Sequence, residues 1–250
     1  NLNTTGVENT SQGACSLYTN ITGSCNTAIG HEALRYNNAA DNTAVGHKAL
    51  EVNTAGCKNV AVGSSALKSN TTGVCNTILG FEAGICNTTG AANIAIGVHA
   101  LYKNTDGGYN TTVGVSTLAC NTGGDRNTTI GYAAALKNAT GSYNTVGGYN
   151  TLYHNDDGEM NTAFGYGAGA YLANGVTALT SPDNSTYIGA DTRGAAATDS
   201  NVTVIGYQAC ACGDNTVSIG NCDVTDNYFN GNITASGNGY FACVIAGGYF

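Results

Sequence analysis

The sequence has little charge, few aromatic residues, no tryptophan, one proline and one methionine. Only 10% of its 250 residues are charged, whereas 42% are hydrophobic, which argues against a charge-rich disordered chain and is enough for some core. The near absence of proline excludes a collagen-like chain. No run of 18 apolar residues occurs, so we predict no membrane-spanning helix. The net charge of −8 argues against nucleic acids and anionic membrane surfaces as partners.

An internal repeat organises most of the chain, which is rich in glycine, asparagine and threonine. The glycine that closes Asn-Thr-x-x-Gly recurs every 17 residues, with one step of 16, from Gly13 to Gly165. A second asparagine column runs at the same period from Asn20 to Asn155. Such a fixed period indicates a repeat architecture in which each unit stacks on the next.

The repeat unit is too short for a helix pair and is interrupted twice by Gly and Asn, residues that suit corners. The short segments between corners are rich in Thr, Val and Ile, which is typical of strands. We therefore predict an all-β fold, a parallel β-solenoid of 17-residue coils stacked about 4.8 Å apart. The predicted regions are a regular array over 1–170, an inserted loop over 171–188, irregular terminal coils over 189–224 and a C-terminal neck or assembly segment over 225–250.

Period-2 alternation assigns the faces of each strand. In the second coil, Thr27 and Ile29 share one face, and Ala28 takes the other. Because the column of Ile29 is apolar in nearly every coil, we expect it inside, with the column of Leu34 as a second core stripe. Stacked Asn side chains are expected to bond to their counterparts in neighbouring coils.

A coil with two large apolar residues has a thin core, and stripes of small residues allow close approach between chains. We therefore expect a homotrimer, with a monomeric solenoid as the alternative. The predicted assembly contacts are Ala33, Ala49, Ala66, Ala100, Cys210, Cys212, Cys222 and Cys243.

Cys57 and Cys75 lie one column apart in neighbouring coils, close enough to form a disulfide. The alternative is that the cysteines are free and act as small buried hydrophobic residues. There is no Cys-x-x-Cys pair, the four histidines are scattered and no catalytic motif occurs. The sequence therefore predicts no enzyme, no cofactor and no metal site. His31 and His47 share a column as exposed neighbours.

A column of tyrosines has two interpretations. Tyr132, Tyr149 and Tyr166 occupy equivalent positions in three successive coils. Stacked aromatic rings could contact a glycan, and packing at a subunit seam explains them equally well.

Several units resemble repeats of viral fibres. The segments 76–80 (Asn-Thr-Ile-Leu-Gly) and 110–114 (Asn-Thr-Thr-Val-Gly) resemble repeats in tail fibres of bacteriophages and fibre proteins of other viruses. The Asn-Thr-Ala-Ile-Gly strand is also similar to the head repeat of trimeric autotransporter adhesins. The resemblance implies a trimeric, non-enzymatic fibre with host-binding surfaces. We predict a structural shaft or adhesin segment, located extracellularly or on a virion surface, whose partners are copies of itself and a cell-surface glycan or receptor.

Three other functions remain open. The first is a self-assembling extracellular filament subunit. The second is an ice-binding solenoid, suggested by threonine ladders such as Thr111, Thr128, Thr145 and Thr162. Against it, that ladder shares a face with the apolar column expected inside. The third is a polysaccharide-cleaving tailspike, against which the acidic residues are sparse apart from the corner at 155–159.

Overall fold

A computed structural model of the chain describes residues 2–225, and they form one continuous parallel β-solenoid. Thirteen strands pair in sequence order, each with the next, in a single sheet, and the described residues contain no helix. At about 4.8 Å per step the sheet is about 58 Å long. The strands are β1 (Thr10–Gln12), β2 (Thr27–Ile29), β3 (Thr43–Val45), β4 (Val60–Val62), β5 (Thr77–Leu79), β6 (Ile94–Ile96), β7 (Thr111–Val113), β8 (Thr128–Ile130), β9 (Thr145–Gly147), β10 (Thr162–Phe164), β11 (Thr186–Ile188), β12 (Thr203–Ile205) and β13 (Val217–Ile219). The predicted all-β parallel solenoid is confirmed.

The register of the sheet follows the sequence repeat. Ile29 pairs with Val45, and each later strand continues the same columns. Backbone bonds link each coil to the next at both ends of the strand: Thr27 N–H donates to the Asn42 carbonyl and Gly46 N–H to the Ile29 carbonyl, both at 2.8 Å. The stacking therefore uses hydrogen bonds between coils, as in any parallel sheet.

The interior is filled by the middle residue of each strand and by the leucine column. Ala28 and Leu34 are both fully buried, and their equivalents in most other coils are buried as well. The expected leucine core stripe is confirmed. The expectation that the Ile29 column lies inside is wrong, because Ile29 is 37% exposed and Ile130 is 52% exposed. One inward strand residue and one leucine already fill the narrow coil, so the two flanking strand residues point outward.

The alanine stripes also lie inside. Ala33, Ala49, Ala66 and Ala100 are each completely buried within their own coils. They pack in the same cluster as the leucine column. The prediction that these four residues form contacts between chains is therefore wrong, since a neighbouring chain could not reach them.

Tight corners close each coil. In the second coil Glu32, Leu34 and Asp41 adopt left-handed backbone conformations, with φ of 59°, 50° and 61°. Such conformations cost an L-residue roughly 1–2 kcal/mol each, so packing and inter-coil hydrogen bonds must offset them. Gly30 at φ 136° has a further role, because a Cβ there would fall on the carbonyl oxygen of Gly46 in the next coil.

Two buried asparagine ladders run through the stack, as expected. In one, Asn104 Nδ2 donates to Asn87 Oδ1 at 2.7 Å and to the Gly107 carbonyl at 2.8 Å, and the pattern repeats coil by coil. In the other, Asn110 N–H donates to Asn93 Oδ1 at 3.0 Å. The ladders satisfy polar groups that a thin apolar core could not.

The 17-residue period is interrupted between β10 and β11, which are 24 residues apart. There Tyr171 forms an antiparallel bridge with Ala178, and Leu179 is fully buried. In β11 a tyrosine, Tyr187, takes the inward position and is fully buried. Its hydroxyl donates to Asp199 Oδ2 at 3.2 Å, and burial raises the pKa of Tyr187 far above its usual value.

Candidate functional site

The outer face of the sheet carries two parallel columns of side chains. The first, the apolar ladder, consists of the last residues of the strands. Its members are Ile29, Val45, Val62, Leu79, Ile96, Val113, Ile130, Phe164, Ile188, Ile205 and Ile219. The second, the threonine ladder, consists of the first residues, which are Thr10, Thr27, Thr43, Thr77, Thr111, Thr128, Thr145, Thr162, Thr186 and Thr203. Val60, Ile94 and Val217 take the same position in the other three strands.

The apolar ladder is continuous even where one coil lacks a side chain. Gly147 occupies the ladder position of β9, between Ile130 and Phe164. A Cβ at Gly147 would lie 2.6 Å from two ring carbons of Phe164, so the aromatic ring covers the gap. The result is a strip of partly exposed apolar groups from β2 to β13.

The side chains of this face are apolar groups and hydroxyls. None of the side chains in the two ladders is ionisable, so the face offers no general acid, base or metal ligand. Contiguous exposed apolar surface is often an interaction site in proteins, which makes this face a candidate. Sequence reasoning missed it because it placed the apolar ladder in the core. The signal that could have revealed it is the length of the strands, since a three-residue strand between two corners directs only its middle residue inward.

The three tyrosines proposed as glycan contacts come together in the structure. The rings of Tyr132 and Tyr149 stack with centroids 5.1 Å apart, and those of Tyr149 and Tyr166 stack at 5.3 Å. All three are about half exposed. Both faces of the middle ring are covered by its neighbours, so a sugar could stack only on the outer faces of the column or meet its hydroxyl edges. Glycan contact remains a prediction.

A shallow groove lies beside the tyrosine column. Tyr149, Asn150, Tyr153 and His154 contribute to its walls. The buried Oδ1 of Asn150 has no hydrogen-bond partner. Burial, followed by the charge of Lys137, lowers the pKa of His154 below its usual value, so its neutral form is favoured.

A third cluster lies near β2 and β3. The rings of His31 and His47 stack with centroids 5.4 Å apart and planes 10° apart. One ligand atom from each ring and a Glu32 carboxylate oxygen all lie within 4.8 Å of one another. Among residues 2–225 they form the one group of three such side chains close enough together to share a metal ion.

The cysteines of residues 2–225 are free thiols in the structure. Cys75 N–H donates to the Cys57 carbonyl at 3.1 Å, which places the two residues in adjacent coils as expected. Their disulfide remains a prediction. Cys210 is half-buried, Cys212 and Cys222 are exposed, and their role in assembly also remains a prediction. Cys243 lies outside the described residues.

No protein-family model matches the chain, and no curated protein matches its sequence. Among residues 2–225, no helix of a length and hydropathy suited to crossing a bilayer occurs.

Proposed function

We propose that this chain is the shaft segment of a homotrimeric fibre, on a virion or a cell-surface appendage, that serves attachment or spacing. The observation that carries the proposal is the apolar ladder, which is partly exposed on the outer face of the sheet from β2 to β13. The resemblance of the repeats to viral fibres and trimeric adhesins supports the same function.

The occupant that fits this face best is another copy of the chain. The ladder repeats every coil, about 4.8 Å, over twelve strands. A ligand that covers it completely must carry apolar groups at the same period over the same length, and a second copy of the ladder does so. If three chains formed a closed ring, the apolar ladder of each chain would be buried along the central axis. The tyrosine column and the corners of the coils would then remain on the outside. Those outer surfaces would be free to contact a glycan or receptor.

The free energy available is sufficient for association. Complete burial of a large apolar side chain contributes about 1.5–3 kcal/mol. Seven of the eleven ladder residues are between 37% and 52% exposed, and the other four are half-buried. Covering the ladder would then contribute about 10 kcal/mol per chain before the entropic cost of association. The threonine ladder would lie at the edge of this contact, where its hydroxyls can remain hydrated.

The test is the native mass, measured by light scattering together with electron micrographs. We expect three times the chain mass of 25.2 kDa, with short rods. The double variant Ile96→Lys/Ile130→Lys places like charges across the proposed seam and should be monomeric with an unchanged circular dichroism spectrum. Val176→Lys, at an apolar residue that is 80% exposed in the segment between β10 and β11, is the control and should remain trimeric.

Other results would favour the alternatives or refute the proposal. Long filaments in the micrographs would instead favour a filament subunit that joins end to end. A monomeric wild-type protein would refute the fibre shaft. Release of reducing sugar from capsule or lipopolysaccharide would favour the tailspike.

Ice binding is a second candidate that one observation favours. The argument against it assumed that the threonine ladder shared a buried face, whereas Thr111 and Val113 both lie on the outer face. A long, regular sheet face with hydroxyl and methyl groups in ranks could order water in an ice-like lattice. In this case the protein should be monomeric and depress the freezing point below the melting point, and Thr111→Tyr/Thr128→Tyr should abolish the effect. A trimer without thermal hysteresis at millimolar concentration would exclude ice binding.

A further inference from the structure

Two histidines and a glutamate meet where the second and third coils stack. His31 is the second residue after β2, and His47 is the second residue after β3. A single glycine separates each histidine from its strand. The 16-residue step of the repeat keeps them in one column, and Lys48 N–H donates to the His31 carbonyl at 2.9 Å to hold the two corners together. The stacked imidazoles are a consequence of this register.

Glu32 is already oriented toward the histidines. Its side chain is only 12% exposed, and its Oε2 lies 3.8 Å from His31 Nδ1 and 3.4 Å from Lys48 Nζ. Its other oxygen, Oε1, accepts from Arg35. Partial burial acts to raise the pKa of Glu32, but the hydrogen bond from Lys48 and the charges of Arg35 and Lys48 outweigh it and keep the pKa below its usual value.

We propose that His31, His47 and Glu32 form a binding site for Zn²⁺ or a related divalent transition metal. Imidazole with one carboxylate is a ligand set that suits Zn²⁺, Ni²⁺ and Cu²⁺, whereas Mg²⁺ and Ca²⁺ require oxygen ligands. Water completes the coordination. The site bridges two coils, so a bound ion ties β2 to β3 through side chains as well as through the backbone. It depends on a single chain and is independent of the proposed trimer.

The geometry needs only side-chain movement. Metal–nitrogen bonds of 2.0–2.1 Å in tetrahedral coordination put ligand atoms about 3.4 Å apart. The three ligand atoms are at most 4.8 Å apart, and the exposed imidazole of His31 can close that gap by rotation. Lys48, whose side chain is 31% exposed, can withdraw into solvent as the ion replaces it beside Glu32. Arg35 keeps its bond to the other carboxylate oxygen and so orients the ligand, as partners of metal ligands commonly do.

The chain contains its own control. His99 Nε2 lies 3.2 Å from Glu82 Oε2 across two adjacent coils, a similar histidine–carboxylate pair. The ring neighbours of His99 are Phe81 and Tyr102. It therefore lacks the second imidazole, and a pair of this kind alone should hold Zn²⁺ much more weakly.

The experiment is a Zn²⁺ titration of the full chain, followed through the NMR signals of the histidine rings. The chain has four histidines, and this readout is separate from any binding by the cysteine thiols. We expect the His31 and His47 rings to shift together, with one midpoint and at one ion per chain, before His99 responds. His47→Ala should abolish the early shift of His31, Glu32→Gln should weaken binding at least about tenfold, and His99→Ala should change neither.

The proposal fails if His31 and His47 respond no earlier than His99, or if the His31 shift survives His47→Ala. His47 is exposed and the His99 side chain is 41% exposed, whereas the Glu32 side chain is only 12% exposed, so circular dichroism must verify that each variant, Glu32→Gln above all, retains the solenoid.

Discussion

Removal of one amide from the buried asparagine ladder should destabilise the solenoid strongly. Asn104 Nδ2 donates to Asn87 Oδ1 at 2.7 Å and to the Gly107 carbonyl, and Asn104 Oδ1 accepts from Asn121 Nδ2 at 2.7 Å. Asn104→Ala removes all three bonds. A lost bond costs about 0.5–1.5 kcal/mol, and a buried acceptor left without a donor costs about 1–3 kcal/mol.

The three hydrogen-bond partners of Asn104 are affected unequally by its removal. The Gly107 carbonyl retains the amide of Asn93 at 2.8 Å, and Asn121 Nδ2 retains the Gly124 carbonyl at 3.0 Å. Asn87 Oδ1 loses the side-chain donor that satisfied it. We therefore expect Asn104→Ala to lower the free energy of unfolding by about 3 kcal/mol.

The same substitution at the end of the ladder is a matched comparison. Asn155 Nδ2 donates to Asn138 Oδ1 at 2.7 Å and to the Gly158 carbonyl, but its own buried Oδ1 has no partner. Asn155→Ala leaves Asn138 Oδ1 without its donor, just as Asn104→Ala does to Asn87 Oδ1. It removes one bond fewer, however, and it also removes the unsatisfied oxygen of Asn155, so it should cost only about 1 kcal/mol. Lys103→Ala, at an exposed neighbour of the ladder, should stay within about 0.5 kcal/mol of the wild type.

The assay is urea denaturation of the three variants, with amide exchange to locate the coils that open first. Exchange is needed because stacked coils can unfold in segments. If Asn104→Ala and Asn155→Ala lowered the free energy of unfolding equally, the prediction would be refuted. It rests on the difference between an amide oxygen that accepts a hydrogen bond and one that does not. A loss below about 1 kcal/mol for Asn104→Ala would also refute it.

Two further predictions concern backbone packing and pH. Gly114→Ala should destabilise the fold severely or prevent folding, because φ is 139° and a Cβ would fall on the carbonyl oxygen of Gly131. Gly123→Ala is the control and should be tolerated, because the nearest atom to a Cβ there is 3.3 Å away. Thermal melting of the two variants tests this. His154 has a lowered pKa in the folded chain, so the unfolded chain binds its proton more readily as the pH falls below about 6.5. The melting temperature should therefore drop less between pH 8 and pH 5 in His154→Gln than in the wild type, and an identical drop would contradict this.

The sequence was most informative about those repeat positions whose environment does not depend on how much space a coil encloses. Asn104 and its equivalents were expected to stack because a column of amides can bond along a parallel stack, and they do. Leu34 was expected inside for its size and is fully buried. The proposed metal site at His31 and His47 was only partly predictable from the sequence. The shared column is apparent from the repeat, but the approach of Glu32 depends on a left-handed corner.

The sequence by itself determined the period, the strand class, the parallel stacking and the asparagine ladders, because these follow from residue types recurring at one spacing. Only the tertiary structure decided which face of each strand points outward. Alternation separates Thr27 and Ile29 from Ala28 but does not say which side encloses the core. That choice depends on the cross-section of the closed coil, which one leucine and small inward residues already fill. The bulky column is therefore left at the surface, and the alanines expected at a subunit contact lie in the core.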